Sequence, residues 1–123
     1  MMHPLLAAPD WYVRERAILY LGSTGDTASA SAIRPLLSGE TIGEREHAAE
    51  ALAALNDRES IPGLEGLLHD GNPNGRIAGA KALVALRAVE SIPALSAAIS
   101  TDTSWAKPQL EQLLAELRAA SAP

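Results

Sequence analysis

The chain has 123 residues, 47% of them hydrophobic, with 24 alanines, no phenylalanine and no cysteine, and a net charge of −5. That length fits a single domain over residues 1–123. No basic stripe of the kind nucleic acid requires is visible, and the charge argues against docking on an anionic membrane surface. The absence of cysteine excludes disulfides and thiolate chemistry, which fits a cytoplasmic location.

Apolar residues recur with helical spacing from one end to the other. No run of about 20 apolar residues is present to span a bilayer, and no basic-then-apolar leader opens the chain. Residues 3–8 contain Pro4-Leu5-Leu6, which returns as Pro35-Leu36-Leu37, and are read as the remnant of a preceding helix. Helices are then expected over roughly 11–23 and 27–38. In the next unit Ala48, Ala51, Leu52 and Leu55 fall at i, i+3, i+4 and i+7, one helical face. Asn56-Asp57-Arg58 breaks that pattern as a tight turn. Ile61, Leu64 and Leu68 then mark a second helix, with Pro62 tolerated at its start. His69 to Gly75 is a loop rich in helix breakers.

The same grammar repeats at a step of 31 residues. Glu59-Ser60-Ile61-Pro62 returns as Glu90-Ser91-Ile92-Pro93, and 11 of 24 positions agree between residues 45–68 and 76–99. The units run roughly 11–38, 42–69, 73–100 and 104–120, the last a first helix alone. Two short helices cannot bury their faces alone, so stability must come from stacking neighbours. The expected fold is therefore all-α, an α-solenoid (α-α superhelix) of about 3.5 helical-hairpin repeats. Ala30-Ser31 stands where Ile61-Pro62 stands, so the first unit is expected to pack differently. Leu110, Leu113, Leu114 and Leu117 lie on a final helix with no hairpin partner. This suggests self-association, or neighbouring repeats, at open ends.

The segment from Arg45 to Leu55, the turn residue Asp57, then Ser60-Ile61-Pro62-Gly63-Leu64 and Leu67-Leu68, resembles a HEAT repeat of the short phycobilisome lyase type. The resemblance runs from about residue 3 to about residue 120. It implies that the second helix of each unit lines a concave face. Proteins with such repeats include chromophore lyases, deoxyhypusine hydroxylase and scaffolds, so the fold does not decide the function.

Candidate sites divide into those on the repeat and those off it. Arg14, Arg45, Arg76 and Lys107 form a ladder at the 31-residue step, and Asp26 and Asp57 precede Arg45 and Arg76 by 19 residues. These are expected to be structural pairs, Asp26 with Arg45 and Asp57 with Arg76, tying neighbouring units together. On the second helices, Arg34, Glu65, His69 and Ser96 are the candidate contacts for a partner. Small residues beside them would let a helix or strand come close. Trp11, Tyr12 and Trp105 open first helices near the two ends, either as interaction anchors or as covers for the core. Glu46, His47 and Glu50 could suggest a metal, but positions 77 and 78 of the next unit are Ile and Ala. A site needs several converging ligands, so a solvated helix face is expected and no metal or cofactor. The resulting expectation is a non-catalytic module binding a protein or peptide, favouring a basic partner. The alternative is a subunit or domain of an enzyme, chromophore-lyase-like or metal-dependent and hydroxylase-like.

Overall fold

The computed structural model describes residue 6, residues 10–25 and residues 28–121. Seven α-helices occur among them, and no strand. They are α1 (Trp11–Ser23), α2 (Ala28–Ile33), α3 (Ile42–Ala54), α4 (Ile61–Leu67), α5 (Pro73–Ala85), α6 (Ile92–Ser100) and α7 (Lys107–Ala120). The fold is an all-α solenoid of helical hairpins. Of the segment read as a preceding helix, only Leu6 is described, and it is buried.

The first helices α1, α3 and α5 each begin on a polar cap. Asp10 accepts the backbone N–H of Tyr12, Thr41 that of Glu44, and Asn72 that of Asn74. These side chains satisfy amide groups that the first turn leaves without a helical partner. The ends of α3 and α5 close in the same way. Asp57 N–H reaches Leu52 and Asn56 N–H reaches Ala53, and Ala88 and Arg87 repeat those bonds to Leu83 and Val84. This closure places one residue in left-handed backbone. Asn56 has φ 54°, Arg87 φ 53° and Gly25, at the equivalent place, φ 72°.

Proline position shapes the second helices. Pro62 and Pro93 lie in the first turn of α4 and α6, where a missing N–H costs nothing. In the first unit the proline comes mid-helix, at Pro35. There it ends α2, and the chain continues as a 3-10 helix over Arg34–Ser38.

The two layers are spaced differently. The first helices α1, α3, α5 and α7 pack flank to flank in one continuous layer, whereas α4 and α6 make little direct contact. Alanine and glycine permit the close spacing. Ala48, Ala49, Ala51, Ala80 and Ala82 are buried there, and a Cβ on Gly22 would lie 2.7 Å from that of Ala51. An array whose units are closer on one layer bends toward that layer. The closer packing favours the first helices as the inner face, where the resemblance implied the second helices.

Helix α7 corrects a second expectation. Leu110, Leu113, Leu114 and Leu117 are all buried, packed toward α5 and α6, while Glu111, Gln112, Glu116 and Arg118 face outward. The outward face is polar, and those leucines offer no surface to another copy.

Arg87→Gly provides a test of the turn geometry. Left-handed backbone costs a non-glycine residue about 1–2 kcal/mol, and glycine loses about 0.5–1 kcal/mol through chain entropy. The variant should gain about 0.5–1 kcal/mol, read as a higher urea midpoint with unchanged slope.

Candidate functional site

The inner layer carries a groove of about 560 Å³. Its floor is α5, with Ile77, Ala78, Ala82 and Ala85. Glu46, His47 and Glu50 of α3 form one wall, and Trp105 and Gln109 the other. Smaller hollows continue along the same face, one beside Leu19 and Glu50 and one between Lys81 and Glu116. Three adjacent helices make the trough, and the small side chains of the middle one keep it open.

The α3 wall is held from below by α1. His47 Nε2 lies 3.4 Å from a Glu15 carboxylate oxygen, and Thr41 donates its hydroxyl to the same carboxylate at 3.3 Å. Gly43 makes room for that carboxylate, which a Cβ there would strike. His47 Nδ1 is buried with no hydrogen-bond partner, 4.0 Å from Glu50. Among the described residues, no three His, Cys, Asp or Glu side chains converge as a metal site requires.

The arginine ladder ties the units together, but with partners other than those expected. Arg45 reaches Asp70 at 2.6 Å and the Gly39 carbonyl at 2.9 Å. Arg76 reaches Asp102 at 3.0 Å and the Asp70 carbonyl at 2.6 Å. Each guanidinium thus bonds the loop before its own helix and the loop of the next unit. Asp57 does not meet Arg76, because Arg34 takes both its oxygens at 2.7 Å. Asp26 lies outside the described residues.

Arg14 shows how the ladder accommodates a missing aspartate. Gly39 stands 31 residues before Asp70, so that position of its loop offers no carboxylate. Glu44 supplies one from the first turn of α3, 2.8 Å from Arg14. The exchange is sterically coupled. A Cβ on Gly39 would lie 2.9 Å from that of Glu44, and one on Gly75 would lie 2.5 Å from Cγ of Asp70. In these two units either the loop or the helix delivers the acid.

Of the residues expected to contact a partner, Arg34 is committed to Asp57 and lies 3.4 Å from Glu59. Glu65 accepts the Ser91 hydroxyl at 2.6 Å and is half-buried. His69 is exposed beside a separate hollow with Thr101, Asp102 and Ser104, and Ser96 is half-buried on α6. These four belong to the outer layer. Trp11 and Tyr12 are exposed and stacked edge to face at 6.0 Å, with Arg16 5.9 Å from the Tyr12 ring centre. Trp105, 64% exposed, is the expected residue that borders the groove.

Lys81 and Gln109 were not foreseen as site residues, although the sequence carries a signal for them. Buried ladder positions hold one residue type, as Leu52 and Leu83 do. Some groove positions change with every unit, from His47 to Ala78 to Gln109 and from Glu50 to Lys81, whose next equivalent, Gln112, lines the adjoining hollow. Such variation marks a surface that the architecture leaves free.

The family model for HEAT repeats matches residues 35–115. The chain belongs to the HEAT repeat family. A second model, the PBS lyase HEAT-like repeat, matches residues 13–39 of this HEAT protein. A similar solved structure is the complex of CpcE and CpcF of phycocyanin lyase from Nostoc sp. PCC7120, with a TM-score of 0.82 and 24% identity. The match covers 97% of this chain and 51% of that one, so the chain spans about half its neighbour's length. At that identity the likeness establishes the fold alone. No curated protein matches the sequence. No helix among the described residues is long and apolar enough to cross a membrane.

The Arg14–Glu44 pair carries a pH prediction. Hydrogen bonding from Arg14 holds the Glu44 carboxyl below its ordinary range against the opposing effect of burial. A folded-state pKa below the unfolded one stabilises above the unfolded value, and that contribution is lost as pH falls through the folded one. Glu44→Gln should therefore cost most stability near neutral pH and little near about pH 3. Urea midpoints of both proteins across that range are the check, and a constant difference would contradict the pairing.

Proposed function

We propose that the protein is a non-catalytic binding module whose partner, a protein or peptide segment, lies in the groove between α3 and α7. The observation that carries this reading is the groove itself, with small residues on its floor and Trp105 on its rim. Exposed tryptophan is enriched among residues that dominate interface energetics. The arginines of the ladder are engaged in holding units together, as in Arg45–Asp70 and Arg76–Asp102, which leaves binding to positions off the ladder.

A second reading is a lyase-related HEAT subunit that works with a companion chain. It is supported by the PBS lyase repeat match and by the likeness to a two-protein complex of a lyase. Both readings employ a protein partner. They separate on mixing the chain with phycocyanin lacking its chromophore, the chromophore itself, and the CpcE or CpcF protein in turn. Chromophore attachment that depends on this chain would establish the second reading.

The groove is tested with Ala78→Arg, which fills its floor. Peptides selected from a displayed random library against the whole chain should lose about tenfold or more in affinity for the variant, equivalent to about 1.4 kcal/mol. Melting of the variant should be unchanged. Binders indifferent to the substitution would remove the groove from the account.

A further inference from the structure

We infer that the occupant of the groove is an α-helix with basic residues along the flank that faces α3. This rests on the binding reading above and names the chemistry of the partner. Helices packed side by side have axes about 8–10 Å apart, so three of them offer a trough matched to one helix of about 10–12 Å diameter. The floor suits that geometry. Ala78, Ala82 and Ala85 are spaced i, i+4 and i+7 along α5. They let a helix axis approach as closely as the first helices approach one another.

Charge sets which helix fits. Glu46 and Glu50 are four residues apart on the same flank of α3, and both line the groove. Neither is paired with Lys or Arg among the described residues, and the Glu50 side chain is 73% exposed. The neighbouring arginine, Arg45, is turned to Asp70 and Gly39 and does not neutralise them. The opposite wall, Trp105 and Gln109, is uncharged. Lys81, the cation on the floor helix, also borders the hollow shared with Gln112 and Glu116, on the α7 side. The groove is therefore acidic along α3 and neutral along α7. A helix carrying Lys or Arg at i and i+4 would place both ammonium or guanidinium groups against Glu46 and Glu50. Its opposite flank would meet the Trp105 indole, which accepts an apolar side chain or an Arg. The chain's net charge of −5 steers the same kind of partner toward it.

The experiment uses the full chain and a displayed library of alanine-rich helical peptides randomised along one face. Selected peptides should be enriched in Lys and Arg at positions three or four apart. Glu46→Lys combined with Glu50→Lys should weaken them about tenfold or more at low salt, with a smaller effect at high salt. Selection against that double variant should return acidic peptides. Binders that are lost on Ala78→Arg but show no basic bias would overturn this inference while leaving the groove reading intact. Binders insensitive to Ala78→Arg, or no helical binders at all, would overturn the inference; in the first case the groove reading falls with it. Melting curves of both variants establish that they are folded.

Discussion

The close approach of the first helices is the constraint on which the rest of this structure depends. Gly22 and Ala51 bring α1 against α3, and buried Ala49, Ala80 and Ala82 continue the contact along the layer. Larger side chains at those places would separate the helices and remove dispersion contacts along the whole flank. With the first helices close and the second helices apart, the array bends, and its inner face becomes a trough. The arginine pairs act on this arrangement at its edge. Arg45 and Arg76 join each loop to the next, so the spacing set by alanine is held at the helix starts by charge-assisted hydrogen bonds.

Much of this was legible in the sequence, and the parts that were not share a cause. The hairpins were visible because Leu52, Leu55 and Leu64 obey a helical period and Asn56-Asp57 breaks it. The ion-pair partners were not, because a 31-residue ladder states which positions are equivalent and says nothing of which loop a long arginine reaches. Asp57 is as near in sequence logic to Arg76 as Asp70 is to Arg45, yet Arg34 occupies it. The exchange of Gly39 and Glu44 for Asp70 and Gly75 lies in the sequence, but it acquires meaning only when the two positions are seen to touch. The inner layer was not legible for a similar reason. Curvature is a difference between two spacings, and it resides in the alanines of one helix set relative to the other, not in any single motif.

The candidate site follows from the same distinction. Glu46, His47 and Glu50 read in isolation as a solvated helix face, and the structure leaves them partly or largely open. What sequence reasoning lacked was the neighbouring helix that turns a face into a wall. Once α5 supplies a floor and the start of α7 the Trp105 rim, several positions that differ from unit to unit come to line one groove. Architecture accounts for the residues that repeat, and the binding reading draws on those that do not.

The absence of cysteine allows a direct test of the bend. Cysteine pairs introduced at Ala54 and Ala85 on the first helices, and at Gly66 and Ala97 on the second, are each separated by one 31-residue step at exposed positions. Spin labels on each pair report the spacing of successive units on the two layers. The account predicts a shorter distance for 54–85 than for 66–97. Equal distances, or the reverse order, would contradict the assignment of the first helices to the inner face and with it the groove.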